Sequence, residues 1–305
     1  MDGPILVTGG QGQVATALMQ AAGNRRLCCV GRPAFDFDRL GDIPALLRAA
    51  APCLIVNAAA YTAVDAAETD PDGADRANHA GPALLAAYCA EAGIPLIHIS
   101  TDYVFDGLKG APYREDDPTS PTGVYGRTKL AGEQAVLAAC PTSMVLRTAW
   151  VYAPWGKNFV RTMLNAARKT NRLRVVGDQM GCPTAAPDLA RAILGICDRI
   201  LQTGWSPAFH GVFHACGTGA TSWHGLASAV FEEAARHGQE PPVVDAIATA
   251  DWPTPARRPP DSRLDCTRLA DVFHQRLPDW RATLPAMVDM IFVDQKQTAP
   301  APAGV

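Results

Sequence analysis

Pro4-Ile5-Leu6-Val7-Thr8-Gly9-Gly10-Gln11-Gly12-Gln13-Val14-Ala15 is the stretch on which the fold turns. Its apolar opening is short and ends in glycines, which suits a buried strand, and Ala17, Leu18 and Ala21 beyond it recur at helical spacing. Strand, glycine turn and helix therefore follow one another. Counted from Gly10 the turn reads G-x-G-x-x-A. In a dinucleotide site such glycines permit the turn and the approach of a pyrophosphate. The small third residue lets helix pack on strand, and the free amides of the helix face the anion. A plain tight turn is the bland alternative, and the flanking strand and helix weigh against it. Gly9, Gly12, Gln13 and Val14 are accordingly candidate cofactor-binding residues.

The next apolar run, Leu27-Cys28-Cys29-Val30, ends in Gly31-Arg32. NAD sites place an acidic residue about twenty positions after the glycines, on the ribose 2′-hydroxyl, whereas a nearby Arg accommodates the phosphate of NADP. With Arg32 and no carboxylate at that strand end, NADPH is favoured over NADH. A solvated surface Arg is the competing reading. Asp36 and Asp38 follow Pro33 and can also reach the adenosine side, so Asp36 and its neighbour Phe37 join the cofactor-binding candidates.

The alternation continues outward. Strands are predicted at 5–8, 27–30, 54–57, 96–100, 143–148, 173–176 and 212–214, with helices at 14–22, 43–50, 81–92, 125–138 and 158–167. Strands alternating with helices imply parallel βαβ units, and no repeat of solenoid period interrupts them. The expected fold class is α/β: a Rossmann-type doubly wound parallel sheet with a smaller carboxyl-terminal substrate lobe. Residues 1–167 are expected to form the dinucleotide-binding core, to which later segments can return. Residues 168–294 are expected to form mainly the lobe, with a loop at 178–184, helices at 188–201 and 222–237, and a Pro/Arg-rich connection at 251–265. Residues 295–305, rich in Ala, Pro and Gly, read as a disordered tail.

Composition narrows the function classes. The 305 residues carry 27 Lys and Arg against 30 Asp and Glu, a balance that argues against a nucleic-acid binder and for small-molecule partners. Nine cysteines show neither C-x-x-C pairs nor metal-ligand spacing, so reduced thiols and no metal site are expected. No apolar stretch approaches a bilayer span and no leader pattern opens the chain. A cytoplasmic protein away from membranes is the expectation.

Two polar clusters carry chemistry. Ser100-Thr101-Asp102 closes an apolar run, and Tyr125-Gly126-Arg127-Thr128-Lys129 opens a helical one. A Tyr and a Lys four apart share a helix face. An ammonium beside a phenol should stabilise its anion and ease proton release near neutral pH. Tyr125 is thus a candidate acid, though an exposed helical pair is the commoner meaning of this spacing alone. Small residues Ala58, Ala59 and Ala60 end another strand and would let the backbone approach a cofactor, with Tyr61 and Thr62 beside its ribose or phosphates; simple close packing is the alternative. Arg258 is a candidate for a phosphate, or a surface Arg.

Six blocks, in order, resemble one family. They are Thr8 to Val14, Val56 to Asp65, Ser100 to Phe105, Tyr125-Gly126-x-Thr128-Lys129-x-Ala131-Gly132-Glu133, Arg147-Thr148-x-Trp150-Val151-Tyr152 and Arg257-Arg258-Pro259-x-x-Ser262-x-Leu264. Together they look like the dTDP-4-dehydrorhamnose reductase family of extended short-chain dehydrogenases/reductases. The resemblance implies reduction of the C4 ketone of dTDP-4-dehydro-β-L-rhamnose to dTDP-β-L-rhamnose by NADPH or NADH. It implies catalytic roles for Thr101, Tyr125 and Lys129, with Lys129 also on the nicotinamide ribose. Asp102 would reach the sugar hydroxyls, Trp150 would stack on the deoxysugar, and Arg258 would meet the substrate pyrophosphate. An isolated Trp is more often a core residue.

The chain departs from the family pattern at Ala15, in the place of the third glycine, and at Asp261, where Asn is common. Some relatives bridge subunits through a divalent ion held by an acidic residue early on the first helix, where this chain has Thr16-Ala17. A metal-bridged dimer is therefore not expected, while a need for Mg2+ and the choice between monomer and homodimer stay open. Two alternatives stand beside the reductase: a non-catalytic regulatory subunit like that of methionine adenosyltransferase, and a reductase of another nucleotide sugar.

Overall fold

The computed structural model describes residues 3–298. Strands β1 (Ile5–Thr8), β2 (Leu27–Val30), β3 (Leu54–Asn57), β4 (Leu96–Thr101) and β5 (Ser143–Thr148) build a central sheet with a sixth strand, Gly211–His214. Read across the sheet, Gly211–His214 is followed by β5, β4, β3, β1 and β2, and every pairing is parallel. The order reverses direction between β1 and β3. In such sheets ligands bind in the crevice outside the carboxyl ends of the strands at that reversal.

Alternation of side chains along each strand feeds two cores. Val7, Val56 and Leu146 face Leu18 of the Gln13–Gln20 helix and Ile193 of the Ala186–Thr203 helix. Leu6, Ile55 and Val145 face Leu47, Leu85 and Val136 of the helices Ile43–Ala50, Gly81–Ala92 and Val124–Ala139. Both faces are covered, so β1, β3 and β5 are buried from end to end. A separate core, with Tyr152, Leu164, Leu226, Val230, Trp280 and Ile291, joins the helices Phe159–Ala167, Trp223–Ala235 and Trp280–Thr298 over the carboxyl edge of the sheet.

Several expectations need correction. The strand expected at 173–176 lies outside the central sheet: Arg172–Val176 pairs in parallel with Val243–Ile247 in a two-stranded sheet of its own. Its exposed Arg172 and Arg174 cannot enter a layer covered on both faces. The loop at 178–184 contains the short strand Met180–Gly181, antiparallel to Thr221–Ser222. The Ala186–Thr203 helix and the Gly211–His214 strand return to the sheet layers from beyond residue 167. The part of the expected tail at 295–298 is helical, because Trp280–Thr298 is one helix through Gln295, Lys296 and Gln297, all good helix formers. Residues 299–305 lie outside the described residues. No helix among the described residues is long and apolar enough to cross a membrane.

Candidate active site

At the end of β1 the backbone turns through Gly9 (φ +108°) and Gly10 (φ +54°), conformations that suit glycine. Space demands it too. A Cβ on Gly9 would lie 2.9 Å from the carbonyl oxygen of Ala58, and one on Gly31 would lie 2.4 Å from Cα of Gly10. The ends of β1, β2 and β3 thus converge. Gly12 begins the Gln13–Gln20 helix with no side-chain cap, so the first helical amides are left for an anion. Ala58, Ala59, Ala60, Tyr61 and Thr62 line the opposite wall. This cradle fits a dinucleotide pyrophosphate.

Arg32, Asp36 and Phe37 close the outer end of the cleft. The Arg32 guanidinium, 72% exposed, reaches Asp36 at 3.1 Å and Asp38 at 3.3 Å, and Arg76 approaches Asp38 from the other side at 3.2 Å. The Asp38 amide first, and Arg32 after it, hold the Asp36 carboxyl below the ordinary carboxylate range. The cleft measures about 1240 Å³. That exceeds the roughly 300–1,000 Å³ usual for a single small ligand and leaves room for a second one beside a dinucleotide.

The chemistry sits at the floor. β4 ends at Thr101, whose hydroxyl donates to Asp102 Oδ1 at 3.0 Å and accepts the Tyr103 amide at 3.2 Å. Opposite it begins the Val124–Ala139 helix, with Tyr125 and Lys129 one turn apart and both buried. Close approach depends on two glycines: a Cβ on Gly126 would lie 2.2 Å from the Tyr103 carbonyl oxygen, and one on Gly132 would lie 2.0 Å from that of Asn78. Lys129 Nζ donates to the Ile99 carbonyl at 2.7 Å. The Tyr125 ring meets Tyr103 edge to face, with centroids 5.5 Å apart.

Burial decides the protonation states, and here the sequence-based expectation fails. Desolvation pushes the Tyr125 phenol up to about 12, against the pull of the Thr101 hydroxyl. The same loss of water lowers Lys129 to about 8, with Glu133 pulling it back. The ammonium does not lower the phenol, because the apolar wall that disfavours phenolate disfavours ammonium as well. At neutral pH Tyr125 therefore keeps its proton and can donate it. Burial also raises Asp102 to about 6. The Ser262 hydroxyl lies near enough to favour its carboxylate without making a well-aligned hydrogen bond, and Oδ2 is left without a partner at the cleft wall.

Two features had no signal in the sequence. Asn78, fully buried on the π-helical turn Arg76–Ala80, donates to the Tyr61 carbonyl at 3.1 Å and to Thr128 Oγ1 at 3.2 Å, and accepts the Tyr61 amide at 2.8 Å. It ties the wall at Tyr61 to the Val124–Ala139 helix. A π turn at a functional site is common, but no periodic pattern announces it. Trp223 comes from the lobe and stacks on Trp150 with centroids 3.4 Å apart and planes 4° from parallel. Both rings line the cleft. Trp150 has φ +47°, a left-handed conformation that disfavours a bulky residue by about 1–3 kcal/mol. One Trp150 face is thus already taken, which the resemblance did not foresee.

Every candidate site residue lines this one cleft except Arg258. Its guanidinium is held bidentately by Asp65, at 2.6 and 2.8 Å, and also donates to the Ala256 carbonyl. As the structure stands, that fork has a carboxylate partner in place of a phosphate.

Known proteins resemble the chain over almost its whole length. Residues 3–292 match the family described as RmlD substrate binding domain. A dTDP-4-dehydrorhamnose reductase of Sinorhizobium fredii is 44% identical over 293 residues, covering 96% of this chain and 99% of the relative. The crystal structure of a dTDP-4-dehydrorhamnose reductase from Clostridium acetobutylicum superposes with a TM-score of 0.87 at 33% identity, covering 95% and 99% of the two chains. That of the Bacillus anthracis enzyme in complex with NADP gives 0.85 at 28% identity, covering 96% and 100%.

Proposed function

The chain belongs to the dTDP-4-dehydrorhamnose reductase family, and on that premise we propose that it reduces the C4 ketone of dTDP-4-dehydro-β-L-rhamnose to dTDP-β-L-rhamnose with NADPH. The observation that carries this reading is the placement of Thr101, protonated Tyr125 and Lys129 at the floor of one cleft whose other end is the glycine cradle. Gly9, Gly12, Gln13 and Val14, with Ala58, Ala59 and Ala60, would hold the pyrophosphate of the cofactor. Tyr61, Thr62 and Lys129 would hold its nicotinamide ribose, and Arg32 its 2′-phosphate. When bound, NADPH supplies the hydride that the ketone carbon receives.

The chain does the rest. Thr101 orients the ketone oxygen, and Tyr125 gives that oxygen a proton as negative charge develops on it, so that an alkoxide does not accumulate. Lys129 keeps the phenol and the ribose in register from one helical turn away. Asp102, which lines the cleft next to Thr101, would accept a sugar hydroxyl. The sheet and the helices flanking it form the cofactor half. Residues 168–294, apart from the helix and strand that return to the sheet, form the sugar-nucleotide half. Nine free thiols support a reducing compartment, the cytoplasm, where the protein acts as a monomer or homodimer.

An absorbance assay tests the proposal. NADPH should be consumed only when the keto sugar is present, and its Kd should be lower than that of NADH. Arg32→Ala should shrink that difference by roughly tenfold, the value of one charge-assisted hydrogen bond to phosphate. Equal affinity of the unmodified protein for both cofactors would remove Arg32 from the site. No consumption with the keto sugar would overturn the function itself.

A further inference from the structure

Trp150 and Trp223 reach the cleft from different parts of the fold, one just past β5 and the other at the start of the Trp223–Ala235 helix in the lobe. At 3.4 Å and 4° the indoles are in full van der Waals contact, so no ligand fits between them. Three observations bear on what Trp223 does. Trp150 stands in a left-handed backbone conformation, which persists only where neighbours over-determine it. The Trp223 ring is itself fixed: its Nε1 donates to Gln179 Oε1 at 3.1 Å, Gln179 Nε2 donates to Thr249 Oγ1 at 3.0 Å, and Phe159 packs on the ring with centroids 4.6 Å apart. The ribbon that pairs Thr221 with Gly181 and Ser222 with Met180 carries Trp223 toward Gln179, and a Cβ on Gly181 would lie 2.3 Å from the Trp150 indole. Strand register, a glycine and a hydrogen-bond chain thus converge on one ring pair.

We propose that Trp223 is a positioning residue of the sugar site: it holds the Trp150 indole in the pose that receives the substrate, and so sets affinity for the sugar nucleotide without touching the cofactor. The inference rests on the nucleotide-sugar reading above. It also makes the Gln179–Thr249 pair part of substrate recognition, although both lie behind the rings.

The test compares Trp223→Ala, Trp223→Phe and Gln179→Leu with the unmodified enzyme. Trp223→Ala should raise KM for dTDP-4-dehydrorhamnose by roughly tenfold, the factor an aromatic pair is worth, with kcat and NADPH affinity changed less than about threefold. Trp223→Phe should restore most of that loss. Gln179→Leu leaves both rings in place and removes the Nε1 acceptor, and should raise KM by a smaller factor; it keeps the test open if Trp223→Ala folds poorly. The free enzyme should show the exciton couplet of stacked indoles in its circular dichroism, absent from Trp223→Ala and Trp223→Phe. An unchanged KM in Trp223→Ala, or a KM that falls, would overturn the proposal, the second result meaning that Trp223 competes with the sugar for the Trp150 face. Turnover of the keto sugar by the unmodified enzyme separates these results from failure of the functional reading, which would show as no turnover at all and would take this inference with it.

Discussion

Tyr125→Phe should lose about 10²–10⁴-fold in turnover while keeping its fold and its affinity for NADPH. The substitution removes one hydroxyl and keeps the ring, which retains its edge-to-face contact with Tyr103. With the phenol pushed up to about 12, the native residue is protonated throughout the neutral range, so the variant lacks a donor that the native enzyme always has loaded. Lys129→Met should differ in kind. It should lower turnover and weaken NADPH binding together, because the proposed role of its ammonium is to serve both the phenol and the ribose. Turnover of Tyr125→Phe at the unmodified rate would mean that water or another group delivers the proton.

Glu133→Ala should destabilise the fold by about 3–5 kcal/mol, the usual effect of leaving a buried charge without its partner. Glu133 sits on the catalytic helix and Arg147 in β5, and their side chains are 2% and 4% exposed. Arg147 Nε donates to Oε1 at 3.0 Å and Nη2 to Oε2 at 2.7 Å, while the guanidinium lies 5.0 Å from the Phe105 ring centroid. Removing both charges in Glu133→Leu with Arg147→Leu should be far milder, since an apolar pair of similar volume avoids the desolvation of either ion. Urea unfolding of the three proteins checks this. A loss below about 1 kcal/mol in Glu133→Ala would mean that the pair is solvated as surface pairs are. Glu133 also holds up the pKa of Lys129. In any folded variant without it, Lys129 should therefore lose its proton at lower pH.

The sheet was legible because its strands are short apolar runs bounded by turn residues, and β1, β2, β3 and β5 fall where those runs lie. The run at 172–176 looks the same in one dimension. Its Arg172 and Arg174 bar it from a layer covered on both faces, and it pairs instead with Val243–Ile247, some seventy residues on. In the site, residues at strand ends and on one helix face could be read because local spacing brings them together: Gly9 to Val14, Thr101, and Tyr125 with Lys129 are of this kind. What depends on tertiary meeting was hidden. Asp65 claims the Arg258 fork across 193 positions, and Trp223 meets Trp150 only when the lobe docks. Protonation was hidden for the same reason, since burial reverses the effect that Lys129 would have on Tyr125 at a surface.

The most direct measurement follows the label. The unmodified enzyme is incubated with dTDP-4-dehydro-β-L-rhamnose and NADPH carrying deuterium at the transferable position of the nicotinamide, and the sugar product is analysed by mass and by nuclear magnetic resonance. The expected result is dTDP-β-L-rhamnose with one deuterium on C4 of the sugar for each NADPH consumed. NADPH consumed with no label at C4, or a keto sugar recovered unchanged under conditions where the protein is folded and binds NADPH, would contradict the account.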